Sequence, residues 1–380
     1  MDEQNSHSDD GETAADVGAL VAAAKATMAQ HGPIDALQLW QEIRERFPHL
    51  PTGPVGYAEA LAEAGRLDEA EGFLVQTIHQ FPNDPLPRIH YAQLAAKRPG
   101  DWMEALRRWV EVRNRFPENP AGHIGLAEAS KEAGRLHAQC LELMRLLEPH
   151  RAEGFQKARF GSAHDGGYVM VNDFDEISAA FSFGIAQDAN WDAAVADRGV
   201  PVYQFDHTID APPISRPDLI FTKARIVAEP TEGGETIDQL ARRHGSPGKA
   251  SLILKIDIEG DEWAVFDSAS EAALSCFSQI MGEFHFLVNI MMDPELYQRA
   301  LRVFKKLTRN FAVVHVHATN GYHGQGVHSI ANVMVPHLLE ITFANRHRYS
   351  LGVTDEIFPG PLDTPSDPGL PDVHLGRFMY

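Results

Sequence analysis

The chain has 380 residues, 53 acidic against 33 basic side chains, a formal net charge of −20 and 44% hydrophobic residues, the composition of a soluble globular protein long enough for two domains. So acidic a balance excludes nucleic acid, whose phosphates are gripped by clustered Lys and Arg, and disfavours an anionic membrane surface. Cys140 and Cys276 are too few for a disulfide framework, the start MDEQNSHSDDGETAAD lacks the basic and apolar parts of a signal peptide, and no apolar run reaches the roughly 20 residues of a membrane helix. A cytoplasmic location without membrane insertion is therefore expected.

Residues 1–14 are polar and acidic and are expected to be disordered. From 15 to 150 the sequence is periodic: Phe47-Pro48, Phe81-Pro82 and Phe116-Pro117 recur at intervals of 34 and 35, and Gly32, Gly65, Gly100 and Gly134 at 33, 35 and 34. Each period predicts a helical hairpin in which Gly breaks the first helix and Pro ends the unit. Small residues such as Gly56, Ala60 and Ala70 allow the helices close approach, and Trp40, Trp102 and Trp109 are read as packing residues. These features resemble the tetratricopeptide repeat. The resemblance implies a surface for a peptide or protein partner, or an arm that orients the next domain or joins a second copy of the chain into a homo-oligomer.

After Gly154 the period stops and β-branched runs alternate with helical patterns. Asp165-Gly166-Gly167-Tyr168 reads as a turn. The stretch from Ala179 has the layout of a βαβ unit: strand Ala179 to Phe183, a tight turn at Gly184, a helix from about Asn190 to Asp197, and strand Val202 to Phe205 ending at Asp206. An acid about 20 residues beyond such a glycine can accept both hydroxyls of a ribose. The loop after Gly184 lacks the further glycines that cradle a pyrophosphate, and Asp188 beside it opposes a phosphate. These features fit a cofactor with a ribose and a charged amino-acid portion, and S-adenosylmethionine is such a molecule. Asp188 either receives its amino group or is a helix-start carboxylate.

Thr236 and Gln239 predict a capping box. The stretch LILKIDIEGDEW follows, a buried strand from Leu252 to Ile256 that gives way to Asp257, Glu259, Asp261 and Glu262. In open α/β sheets ligands lie outside the carboxyl ends of the strands, so Asp257 and Glu259 are expected to face a site. A strand at Gln279 to Gly282 delivers Glu283 and His285 to one side, since side chains alternate. FAVVHVHA delivers His315 and His317, with Asn320 beyond, and Val333 to Val335 and Glu340 to Phe343 are expected to supply the last antiparallel pieces.

The blocks FSFGI, VYQFDHT, ETIDQL, LKIDIEGDEW, GEFH and VHVHATN resemble the FkbM-type S-adenosylmethionine-dependent methyltransferases. The resemblance implies an α/β Rossmann-like domain over 151–350 with a seven-stranded mixed sheet, and methyl transfer, often to oxygen of a sugar or other small hydroxylated acceptor. It implies that Gly184 and Asp206 contact the cofactor and that Asp257 and Glu259 flank the reaction centre. The expected cofactor-binding set is Gly184, Asp188, Asp206 and Asp257, and the expected catalytic set is Asp257, Glu259, His285 and His317, a histidine serving as base near neutral pH. Asp257, Glu283, His285 and Asn320 are candidate ligands of a divalent metal, with mixed oxygen and imidazole donors suiting Mn²⁺ or Zn²⁺ better than Mg²⁺. The glycine-rich His323 to His328 is expected to form a mobile loop near the site. Residues 351–380, rich in Pro, Gly and Asp, are expected to be extended, either disordered or packed back through Phe358, Leu370 and Phe378. The altered loop after Gly184 keeps one alternative, a non-catalytic protein that binds partners through its repeats.

Overall fold

The structure, a computed structural model, describes residues 9–98, 102–321 and 326–380, with side chains from residue 16 onward. Gly100 and the first half of the His323 to His328 loop lie outside the described residues, as does the start up to residue 8. The chain forms two compact units, Met1–Arg135 and Leu136–Tyr380. The boundary falls inside a helix, upstream of the change in sequence pattern near 150.

The first unit is helical: α1 (Asp9–His31), α2 (Pro33–Arg46), α3 (Thr52–Glu63), α4 (Leu67–Gln80), α5 (Pro85–Ala95), α6 (Trp102–Arg115) and α7 (Pro120–Arg145), whose later turns belong to the second unit. Gly32 and Gly65 take positive φ of 101° and 78° between helices, where a side chain would be strained. Pro33 and Pro85 open α2 and α5 at positions that need no N–H. Gly134 breaks nothing, because α7 runs through it. Trp40 and Trp109 are buried, and a Cβ on Gly56 would stand 2.3 Å from the ring of Trp40, as one on Gly125 would stand 2.5 Å from Trp109. In these two places a glycine lets a helix lie flat on a tryptophan.

The second unit is built on seven strands: β1 (Ala179–Phe183), β2 (Val202–Phe205), β3 (Leu219–Thr222), β4 (Leu252–Ile256), β5 (Phe277–Phe284), β6 (Phe311–Ala318) and β7 (Leu339–Asn345). Their order across the sheet is β6-β7-β5-β4-β1-β2-β3, with β7 antiparallel to both neighbours and the other pairs parallel. Every residue of β1, β4, β5 and β6 is buried, which explains the near-continuous apolar runs of β1 and β4. Edge strand β3 has no counterpart among the expected strands. Val333–Pro336 does not join this sheet; it pairs with Val327–Ile330 in a separate ribbon, leaving Leu339–Asn345 as the only reversed strand of the seven.

Helix α8 (Asn190–Ala196) follows β1, and α9 (Ile237–His244) carries the Thr236–Gln239 capping box in full. Helix α10 (Glu262–Ser268) follows β4. Cys140 and Cys276 are both buried thiols, and burial pushes Cys140 up to about 12. Beyond Val353 the chain is extended and packs onto its own unit: Phe358 and Phe378 are buried, whereas Leu370 is 42% exposed and does not anchor it.

Candidate functional site

Strand order reverses between β1 and β4, which run side by side while their connections leave to opposite edges. At their carboxyl ends the amide of Asp257 donates to Phe183 O at 3.0 Å and that of Gly184 to Phe205 O at 3.1 Å. Gly184 has φ +73°, and a Cβ there would lie 1.7 Å from the carbonyl oxygen of Asp257, so no side chain fits. Lys255, the one charged residue in β4, is buried and donates from Nζ to Gly184 O at 2.5 Å.

Around these ends lies a cleft of about 600 Å³, lined among others by Gly184, Asp188, Asp206, Lys255, Asp257 and Glu259. Asp206 stands at its back, and both its oxygens are in use. One accepts from the amides of Ile185 and Ala186, each at 2.9 Å; the other accepts from the amide and hydroxyl of Thr208 at 2.7 and 2.6 Å. Burial opposes the charge, but the hydrogen bonds from Thr208 and the backbone outweigh it and hold the carboxyl at about 2. Asp206 therefore pins the loop after Gly184, and its acceptor positions are filled by the chain itself rather than held open for a ribose. Asp188 accepts from the Ser162 hydroxyl and, at 2.7 Å, from the amide of Asn190 at the start of α8. It lines the cleft while doing the work of a helix-start carboxylate.

A second cleft, of about 390 Å³, shares Asp165, Asp257 and Glu259 with the first and adds Glu283, His285, Thr319, Leu338 and the segment Ser366 to Pro368. Its centre is His285, 2% exposed. Nε2 lies 3.6 Å from a Glu283 oxygen, 3.5 Å from Glu259 and 4.0 Å from Asp257 Oδ1, while Nδ1 faces Glu262 at 3.2 Å. Glu262 is fully buried and accepts from the amides of Ile258 and Gly260 at 2.7 and 2.9 Å. It thus fixes the loop off β4 and orients the imidazole at once. Desolvation lowers the basicity of His285, but Glu262, Asp257 and Glu259 together leave it raised. Glu283 stands directly across from Glu340 in the β5–β7 register; burial first, then Asp257, Glu340 and Asp165, push its carboxyl well above the usual range. Tyr168 donates its hydroxyl to Asp257 Oδ2 at 3.3 Å.

The backbone here is strained as well: Ala186, Glu259 and Phe286 have φ of 45°, 59° and 63°, in the left-handed region that non-glycine residues occupy mainly where the surroundings force it.

Two expected site residues serve elsewhere. His317 is 1% exposed and bonded on both nitrogens, to Glu340 at 3.2 Å and to Asp372 at 3.0 Å. Burial opposes its charge, yet the carboxylates Glu340, Asp363 and Asp372 raise it to about 9, so at neutral pH it is a cation clamping the C-terminal segment and cannot accept a proton. Asn320 is committed to the C-terminal segment: its amide donates to the carbonyls of Asp367, Leu370 and Pro371 and its oxygen accepts from the amide of Asp367. Sequence reasoning also missed Asp165, Tyr168, Lys255, Glu262 and Glu340. The Asp165 to Tyr168 turn carried a signal in its paired glycines, since a Cβ on Gly167 would meet Ser162 O at 2.0 Å.

Among the described residues no helix is long and apolar enough to cross a membrane. No curated protein matches the chain in sequence. Among solved structures, the first tetratricopeptide repeat domain of Spaghetti (RPAP3), bound to an HSP90 peptide, aligns at 15% identity and TM-score 0.26 over 30% of this chain and 91% of that one. A thermophilic repeat protein of Thermus thermophilus aligns at 12% and 0.28 over 33% and 71%. A Thermobaculum terrenum O-GlcNAc transferase mutant aligns at 13% and 0.27 over 64% of this chain and 46% of that one. Residues 28–97 match the tetratricopeptide repeat family, and the N-terminal unit therefore carries tetratricopeptide repeats.

Proposed function

We propose that the second unit is a Rossmann-like methyltransferase that moves the methyl group of S-adenosylmethionine to a hydroxyl of a small acceptor such as a sugar. The observation that carries this reading is the strand order: β3-β2-β1-β4-β5 is a doubly wound half-and-half arrangement with β7 reversed at its far side, and the larger cleft lies where ligands of such sheets bind, outside the carboxyl ends at the reversal. Its volume suits one nucleoside-sized ligand. The absence of a side chain at Gly184 and the loop held by Asp206 support close approach of that ligand to backbone.

The adjoining cleft, meeting the first at Asp257 and Glu259, supports a separate seat for the acceptor. The bound cofactor supplies an electrophilic methyl on a positive sulfur. What the chain must add is an acceptor oxygen held in line with that carbon and relieved of its proton. The carboxylates and His285 around the shared rim suit both tasks. The repeats of the first unit support binding of a protein or peptide, as the Spaghetti domain is seen to do with its peptide.

Calorimetry of the full chain with S-adenosylhomocysteine tests the reading. Binding with dissociation constant below about 1 mM, a free energy beyond roughly −4 kcal/mol, is expected; no heat of binding at that concentration would sink it. His285→Ala should leave this binding intact and depress methyl transfer.

A further inference from the structure

We propose that Asp257, Glu283 and His285 form a divalent-cation site of the Mn²⁺ type, whose open positions face the second cleft and take oxygen atoms of the acceptor. One atom from each residue lies within 4.8 Å of the other two, and the imidazole Nε2 is 3.6 Å from Glu283 and 4.0 Å from Asp257 Oδ1. Ligands sharing an ion at about 2.0–2.2 Å stand at most about 4.4 Å apart, so a small inward movement closes the set.

Independent of that spacing, Glu283 is buried and lines the second cleft, and its ion-pair contact, His285 Nε2, stands at 3.6 Å, beyond hydrogen-bond reach. A buried carboxylate opposite another acid, without a hydrogen-bond donor, is costly unless a cation or proton compensates it. Lys255 is committed to the carbonyl of Gly184.

The surroundings hold the ligands in ligating posture. Glu262 on Nδ1 turns the other nitrogen of His285 toward the carboxylates, the outer-shell partner that metal-bound imidazoles ordinarily have. Tyr168 takes Asp257 Oδ2 and leaves Oδ1 facing the histidine. Two carboxylates suit Mn²⁺ and the imidazole tells against Mg²⁺ and Ca²⁺, which prefer all-oxygen sites, and three protein ligands leave positions for oxygen. The cation site stands on these residues alone; its service to the acceptor rests on the methyl-transfer reading and narrows that acceptor to an oxygen-rich molecule.

The test is titration of the chelator-treated full chain with Mn²⁺, followed by electron paramagnetic resonance and calorimetry. One tight equivalent with nitrogen coupling from a single imidazole is expected. His285→Gln should abolish the coupling, and Glu283→Gln should weaken binding at least tenfold while its circular dichroism and its S-adenosylhomocysteine affinity stay within twofold of the parent. Absence of a tight equivalent, or nitrogen coupling that survives His285→Gln, would overturn the site. Mn²⁺ binding without S-adenosylhomocysteine binding would uphold the site and remove the methyltransferase reading; the converse would remove the site alone.

Discussion

Asp206→Asn keeps the shape of a side chain that accepts four hydrogen bonds and removes its charge. If the new amide nitrogen replaced the oxygen facing Ile185 and Ala186, two amides at 2.9 Å would lose their acceptor. If it replaced the other oxygen, only the Thr208 amide at 2.7 Å would, because the Thr208 hydroxyl can turn and accept. The second orientation is cheaper. Thr208 is an exposed residue, so its orphaned N–H costs only about 1 kcal/mol, and each of the two remaining bonds drops from roughly 1.5–3 to 0.5–1.5 kcal/mol when the acceptor loses its charge, a total of about 3–4 kcal/mol. Felt locally, this lowers hydrogen-exchange protection at the Ile185 and Ala186 amides by roughly 100- to 1,000-fold. Exchange followed by mass spectrometry or NMR on the full chain reads it. Because the carboxyl is held at about 2, below its ordinary value near 3.9, its contribution is fully present above about pH 4 and is lost only as pH falls through about 2. The difference between parent and variant should therefore be flat from pH 7 to pH 5. Protection in the variant within threefold of the parent would refute the idea that Asp206 holds the loop.

Gly184→Ala must separate two backbones, since its Cβ would overlap the Asp257 carbonyl at 1.7 Å; with the left-handed backbone cost added, a loss of about 2–5 kcal/mol is expected, and S-adenosylhomocysteine affinity should fall more than tenfold by calorimetry. Unchanged affinity would show that the β1 end does not touch the ligand. His317, raised to about 9 by its carboxylates, contributes stability that is complete below its ordinary value near 6.5 and fades as pH rises through about 9. Cleavage by a nonspecific protease within 354–380 should therefore quicken between pH 7 and pH 10 in the parent, and already be quick at pH 7 in His317→Gln; equal rates at both pH values would refute the clamp.

Local chemistry was legible where one face or both faces of an element were buried. The apolar runs at Ala179–Phe183, Val202–Phe205 and Leu252–Ile256 gave strand bounds that coincide with the structure, because a strand buried on both sides admits little else. Alternation put Glu283 and His285 together and put His315 with His317, but it could not say what would pack against them. Asp363 reaches His315 at 2.7 Å and Asp372 reaches His317 at 3.0 Å across long stretches of chain, and these contacts decide that the second histidine is a clamp. Asn320 misled for the same reason. Glu262 reads in sequence as a helix-start acid, yet its carboxylate turns back to Ile258 and Gly260 and toward a histidine from another strand. Edge strand β3 escaped notice because its pattern of burial is partial, with Ile220 at 36% exposure.

The Ser366–Pro368 wall of the second cleft follows all seven strands along the chain. During synthesis the sheet can therefore assemble, and the larger cleft with it, before that wall exists. The second cleft is completed last, by a segment clipped on through His315, His317 and Asn320. A change of sequence in that segment would reshape the second cleft without disturbing the strand ends that hold Gly184 and Asp257.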